Sequence, residues 1–389
     1  MKICDVTQFY SPVGGGVRRY ITEKRLYIQN NTEDEHVLII PGKKTETKRE
    51  GQLITCTIAS PPINKTSRYR ILLNLRQAGD FLRQEKPDVI ESGDPYHLAW
   101  HTLAVAEEIN VPVCGFYHSH FPEAYLRTAL KYFGPWVRDT GMSYAQEYIV
   151  RLYNRFDQTL VPSAFLVDLL KSWGVHNATH FRLGINTDVF YPAASQKRKA
   201  LQIPEDRFVL LYIGRLAGEK NTQTLLETFK ILHERHPDRF AFVVIGDGQL
   251  QSLLQETQKK IPLFRWISYC NDSHELADYY RMANLFVHPG VCETFGLVSL
   301  ESQACGCPVV GIRGSYMDAN IFSRLDLWAS QNTPTALADA IEAFQQHDCP
   351  NIGLEASQTV RNQFAWTHVF KELWRNYQNM IDHRSVRRL

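Results

Sequence analysis

The chain has 389 residues, more than one ordinary α/β domain needs and enough for two that each bury a core. Hydrophobic residues make up 44% and charged residues 22%, a globular balance, and no apolar run approaches the roughly 20 residues of a membrane span. A formal net charge of +2, with no long basic block, argues against a nucleic-acid partner. The opening MKICDVTQFY places Asp5 where a secretory leader needs apolar residues, so cytoplasmic residence is expected. The eight cysteines, at 4, 56, 114, 270, 292, 305, 307 and 349, form no CxxC pair and no zinc-type cluster. They read as reduced, mostly buried side chains, Cys305 and Cys307 packing at a helix-to-strand turn.

In chain order, short apolar runs alternate with helical patterns. ICDVTQF, HVLII, DVIES, VPVCGFYH and QTLVPS occupy the first half; FVLLYIG, AFVVIG, RWISYC, LFVHP and CPVVGI occupy the second. This alternation predicts βαβ units and parallel sheets. The polar, Pro-bounded segment 192–206 precedes a fresh strand-Gly-helix unit and marks the expected boundary between a domain at 1–191 and one at 192–364. Phe370, Leu373, Trp374, Tyr377 and Ile381, three and four residues apart, predict a C-terminal helix over 365–389 with one apolar face and a basic tail. That face can cap the second domain or cross back to the first.

The first strand runs into SPVGGGVRRYITEK, where Gly14, Gly15 and Gly16 precede a helical pattern. Such a turn lets backbone N–H groups and a helix N-terminus approach a diphosphate, and it equally suits a tight turn without ligand. Arg18 and Arg19 stand where a dinucleotide fingerprint wants its third glycine, which disfavours a nicotinamide enzyme. Further on, His118 and His120 stand at the end of an apolar strand, as site residues or as turn histidines satisfied by carbonyls.

In the second half, FVLLYIG ends at Gly214 with Arg215 at the carboxyl edge, and Lys220 precedes the next helix. Ligands of open α/β sheets bind at that edge, and two cations there suit a diphosphate. LFVHPGVCETFGLVSLES then places Glu293 in a loop, a helix start near Phe295, Gly296 and Leu297 whose N–H groups can face phosphate or sugar oxygens, and Glu301 inside the helix. Glu301 can accept from a pair of ribose hydroxyls and Glu293 from hexose hydroxyls. Within the apolar VSLES segment, Glu301 has to find a partner.

GRL-x-x-EK followed by ETFGLVSLE, with the two glutamates seven residues apart, resembles the retaining family-four glycosyltransferases of E-x7-E type, including lipid mannosyltransferase-like and glucosyltransferase-like members. The similarity runs over nearly the whole chain: the Gly14–Gly16 turn, YHS at 117–119, LVPSAFLVDLL and GINTDVFYP match as well. The resemblance implies a GT-B fold of two facing Rossmann-like domains with the active site in the cleft between them. It implies that Arg215 and Lys220 bind the donor diphosphate, Glu301 the ribose and Glu293 the transferred sugar, with His118 an active-site histidine.

The implied reaction moves a hexose, mannose or glucose, from a GDP- or UDP-sugar to a lipid or saccharide acceptor with retention, by front-face substitution. No permanent cofactor is expected. No D-x-D element stands at a strand end, and two cations already meet the diphosphate, so metal independence is expected. Residues 122–156 mix aromatics with Arg and Lys at helical spacing, suited either to a membrane surface on the cytoplasmic side or to an ordinary half-buried helix pair. Rival readings are a sugar-nucleotide-binding protein without turnover and an epimerase or phosphorylase of the same fold.

Overall fold

The computed structural model describes residues 1–10, 15–63, 69–118, 120, 122 and 134–386. The chain forms two compact units, one of Met1–Leu183 with Trp366–Leu389, the other of Gly184–Ala365.

The first unit runs β1 Lys2–Val6, α1 Gly16–Asn31, β2 Glu35–Gly42, β3 Glu46–Glu50, β4 Leu53–Ala59, α2 Leu75–Glu85, β5 Val89–Ser92, α3 His97–Ile109, β6 Val113–Phe116, α4 Pro135–Tyr153, β7 Gln158–Val161, α5 Ala164–Trp173 and β8 Ala178–His180. Among the described residues its sheet is ordered β3-β4-β2-β1-β5-β6-β7-β8. The β3–β4 hairpin is antiparallel and every other pairing is parallel. Strands β1, β5 and β6 are buried almost throughout, as apolar runs covered by helices on both faces should be.

The second unit runs α6 Lys197–Ala200, β9 Phe208–Ile213, α7 Thr222–Arg235, β10 Phe240–Ile245, α8 Gln251–Lys260, β11 Phe264–Ile267, α9 Ser273–Met282, β12 Leu285–His288, α10 Leu297–Ala304, β13 Val309–Gly311, α11 Pro334–Gln345 and α12 Cys349–Phe364. Its sheet, β11-β10-β9-β12-β13, is parallel throughout. The last helix, α13 Trp366–Val386, belongs to the first unit.

The apolar runs of the sequence correspond to the buried central strands, whereas β3, β4 and β8 carry little such signal. Strand β3 is wholly exposed and polar, and β8 is three residues long. The segment 192–206 is not a free linker: Ser195 Oγ donates to the Asp278 carbonyl at 2.8 Å, and the Arg198 guanidinium donates to the Met282 carbonyl at 2.8 Å and to Asn284 Oδ1 at 2.7 Å. The C-terminal helical pattern is interrupted at Ala365, which is extended, because the Phe364 carbonyl accepts from the Ile185 N–H at 2.7 Å.

Helix α13 is fixed by a buried polar cluster. Lys24 Nζ meets Asp5 Oδ1 at 2.8 Å and Glu91 Oε2 at 3.1 Å, and the Tyr377 hydroxyl donates to Glu91 Oε2 at 2.5 Å and accepts from Lys24 at 3.1 Å. His36 Nε2 adds a contact to Asp5 at 3.0 Å. Burial alone would raise the Asp5 pKa, yet the Lys24 ammonium and His36 hold it well below the usual carboxylate range. A lone buried charge would be costly; here each has partners.

Candidate functional site

In the second unit the crossovers leave β9 in opposite directions, so β9 and β12 flank a topological switch point where α/β sheets bind ligands beyond the strand ends. Past Ile213 and Ile245 the two chains stay zipped: the Leu216 N–H donates to the Asp247 carbonyl and the Gln249 N–H to the Leu216 carbonyl, both at 3.0 Å. Gly246 makes this approach possible. Its φ is +154°, and a Cβ there would lie 1.9 Å from the Gly214 oxygen.

Lys220 ends a 3₁₀ turn over Gly218–Lys220, and the next residue, Asn221, is left-handed with φ 54°. The Asn221 amide donates to the Pro289 carbonyl at 3.0 Å, tying this turn to the loop after β12. Across that tie, Lys220 Nζ donates to Glu293 Oε2 and His288 Nε2 lies 3.7 Å from the same oxygen. Burial would raise the Glu293 carboxyl, but Lys220 and then His288 hold it well below the usual range. Glu293 is therefore an anion at neutral pH. Arg215, 61% exposed, reaches Glu219 at 3.1 Å.

Glu301 lies in α10 with 2% exposure, and the Tyr280 hydroxyl donates to its Oε2 at 3.1 Å. The buried carboxylate thus has the partner its apolar setting demands. Helix α10 starts at Leu297, two residues later than the sequence pattern suggests, because Gly296 adopts φ +77° as its cap. A Cβ at Gly296 would lie 2.5 Å from Met317 Sδ. Phe295 is a core residue of the preceding turn, its carbonyl accepting from the Asn320 amide at 3.0 Å. Of the first N–H groups of α10, those of Ser299 and Leu300 donate to the Gly296 carbonyl at 2.9 and 3.1 Å, which leaves those of Leu297 and Val298 without an acceptor in the helix.

On the first unit, Gly14 lies outside the described residues; Gly15 caps α1 with φ +107°, and Gly16 is its first residue. His118 follows β6 and stacks flat on Phe116, 3.9 Å between centroids, with Tyr20 edge-on at 5.8 Å. Burial and then the Lys24 ammonium hold its imidazole at a pKa of about 3, so it is neutral. His120 is a core residue whose Nδ1 pairs with the Tyr117 hydroxyl at 2.8 Å. After β5, the bare Cα of Gly93 leaves room for its neighbours: a Cβ would sit 3.4 Å from Thr7 and 3.5 Å from the His118 ring. Asp94, 1% exposed, accepts the Gln8 N–H at 2.6 Å, and burial raises its carboxyl to about 7.

The second-unit edge thus brings together Arg215, Lys220, Glu293 and the start of α10, and the first-unit edge brings Gly15 and Gly16 beyond β1 and His118 beyond β6. Asn221, His288, Asp94 and the Gly246–Gly248 turn were not singled out in the sequence. The GDG after FVVI was a readable turn signal, whereas the other three acquire their meaning only from neighbours far away in sequence. Among the described residues no group of three or more His, Cys, Asp or Glu is arranged to hold a metal ion, and no helix is long and apolar enough to cross a membrane.

Residues 14–212 match the family model of Glycosyltransferase Family 4, and residues 194–353 match that of Glycosyl transferases group 1. The chain belongs to glycosyltransferase family 4. A GDP-mannose-dependent alpha-mannosyltransferase of Corynebacterium glutamicum is 25% identical over 321 residues, 80% of this chain and 72% of the relative. A GDP-mannose-dependent alpha-(1-6)-phosphatidylinositol dimannoside mannosyltransferase of Mycobacterium tuberculosis is 26% identical over 349 residues, 88% of this chain and 87% of the relative. In fold, a solved sucrose-phosphate synthase from Thermosynechococcus elongatus superimposes with a TM-score of 0.79 at 18% identity, covering 98% of this chain and 99% of that one. This family-4 chain therefore has the GT-B architecture and is a sugar-transferring enzyme that uses a nucleotide-sugar donor.

Proposed function

We propose that this family-4 enzyme transfers mannose from GDP-mannose to a lipid acceptor with retention of configuration and without a metal ion. The observation that carries the reading is the Lys220–Glu293 pair at the switch point of the second sheet, a cation for the diphosphate and an ionised carboxylate for the sugar on adjoining loops. GDP and mannose are favoured because two relatives matching most of the chain are GDP-mannose-dependent mannosyltransferases. A lipid acceptor is favoured by the phosphatidylinositol dimannoside named for one of them, and by Trp136 and Tyr144, which stand 79% and 70% exposed on α4. The neighbouring residues 123–133 lie outside the described ones.

In this mechanism the acceptor hydroxyl oxygen attacks the anomeric carbon on the face from which the diphosphate departs, and its proton passes to the departing phosphate oxygen. Lys220 and Arg215 neutralise the growing charge on that phosphate, supported by the α10 N-terminus. Glu293 orients the sugar hydroxyls and Glu301 the ribose. His118, held neutral, is assigned to the sugar, where it has no charge to desolvate.

The test is an assay of the purified protein with GDP- and UDP-linked mannose and glucose. Phosphatidylinositol-containing vesicles and soluble saccharides serve as acceptors, with and without EDTA, and anomeric configuration is read by NMR. Turnover is expected with GDP-mannose and vesicles, giving an α-linked product at a rate EDTA does not change. Nucleotide binding without any sugar transfer, a β-linked product or a rate restored only by Mg²⁺ overturns the corresponding part.

A further inference from the structure

We propose that His288 is a positioning residue that keeps the Glu293 carboxylate aimed at the sugar once the donor diphosphate has drawn Lys220 away. The assignment rests on the reading of Glu293 as the sugar-facing carboxylate and adds the group that holds it there. His288 is the last residue of β12, at the switch point itself, and only 4% exposed. Its Nε2 faces Glu293 Oε2 at 3.7 Å, whereas Nδ1 has no hydrogen-bond partner among the described residues. A leucine would fill such a space without a buried unpaired nitrogen, so a packing role alone leaves the imidazole unexplained.

The ring is held in place by the turn that follows it. A Cβ at Gly290 would lie 3.0 Å from His288 Cε1 and 3.6 Å from Nδ1, so the bare glycine packs directly over the imidazole. The Glu293 backbone is anchored separately, its carbonyl accepting from Ser315 Oγ at 3.0 Å. The carboxylate is therefore what remains to be oriented, and Lys220 and His288 converge on one of its oxygens.

A diphosphate competes with Glu293 for the Lys220 ammonium, because its charge is larger and its oxygens more numerous. When Lys220 turns towards it, Glu293 loses a counter-ion. A shift of under about 1 Å then brings the His288 Nε2–H into hydrogen-bond range of the carboxylate. With Nε2 protonated, Nδ1 carries the lone pair under the Gly290 turn. The sugar thus meets a carboxylate whose direction does not depend on the cation that serves the phosphate.

The test compares His288→Leu, which keeps bulk but removes the donor, with His288→Gln, whose amide can still donate, in the parent and in Glu293→Gln. GDP affinity is read by calorimetry and transfer by initial rates. His288→Leu is expected to lower kcat/KM for the sugar nucleotide about tenfold or more while GDP affinity stays within about twofold. His288→Gln should recover most of the loss, and His288→Leu should add little in the Glu293→Gln background. Should leucine prevent folding, His288→Asn, whose shorter amide falls away from Glu293, takes its place. A parent rate in His288→Leu, a parallel fall in GDP affinity, or losses that multiply with Glu293→Gln would each overturn the proposal. If Glu293→Gln itself transfers at the parent rate, the sugar-facing role of Glu293 fails and this inference with it. A crippled Glu293→Gln beside a fully active His288→Leu sinks this inference alone.

Discussion

The two sheets present opposite chemistries at their carboxyl edges. In the second unit the edge carries charges in pairs, Lys220 with Glu293 and Arg215 with Glu219. In the first unit the full charges Asp5, Lys24 and Glu91 lie in the core, and the edge above them offers groups near neutrality, His118 at a pKa of about 3 and Asp94 at about 7. Ion pairs suit a ligand that brings its own charge and can exchange into them, whereas uncharged donors and acceptors suit sugar and acceptor hydroxyls, which bring none.

The contrast breaks first at Lys220. Lys220→Ala removes the cation proposed for the diphosphate and leaves Glu293 without its first counter-ion, so kcat/KM for the sugar nucleotide should fall about a hundredfold or more. Arg215→Ala, losing an exposed side chain, should cost clearly less. Steady-state kinetics of both variants decide it, and equal small losses would remove Lys220 from the diphosphate.

His118→Ala probes the neutral edge. Transfer should drop roughly ten- to a hundredfold while GDP affinity, read by calorimetry, moves by no more than about twofold. A matching loss of GDP binding would mean that the ring serves the nucleotide or the fold instead.

The smallest expected effect concerns stability rather than rate. Asp94 has its carboxyl raised from 3.8 to about 7, so the folded state binds its proton more tightly than the unfolded one does. Its stabilising contribution is complete below the unfolded value and is lost as pH rises through 7. His118 has the opposite sign: lowered from 6.5 to about 3, it favours the fold fully above 6.5 and loses that contribution as pH falls towards 3. Asp94→Asn, which cannot ionise but can still accept from Gln8, should therefore gain stability over the parent between pH 5 and 8, by about 1–3 kcal/mol at the upper end. Urea unfolding at several pH values measures it, and a difference that does not grow with pH would rule out the buried ionisation.

What the sequence revealed follows from where each signal resides. Central strands such as FVLLYI and FAFVVI are buried on both faces and read directly as apolar runs, and Gly214, Arg215 and Lys220 follow one of them in fixed order. Strand β3 could not be read because ETKRE is an exposed polar edge whose pairing with β4 is its only reason to be extended. Phe295 illustrates a subtler limit, since the pattern suggested a helix start there and only the Met317 contact at Gly296 explains why the helix waits until Leu297. Asp94 and His288 were illegible for a different reason. Their roles depend on Gln8 and Thr7 in one case and on Glu293 and Gly290 in the other, so the chemistry lies in proximity and not in pattern.

Tyr377 gives the chain an order of assembly. The first sheet is synthesised before the second, yet the hydroxyl that completes the Lys24–Glu91 cluster and the Trp374 indole that donates to Asp34 sit on α13 and leave the ribosome after the whole second unit. Until then Glu91 lacks one of its donors and the groove that receives Phe370 and Tyr377 is open to water. The second unit, continuous in sequence, can close as soon as it emerges, while the first must wait for its final helix. During translation the unit that is continuous in sequence can therefore be complete before the unit whose strands were made first.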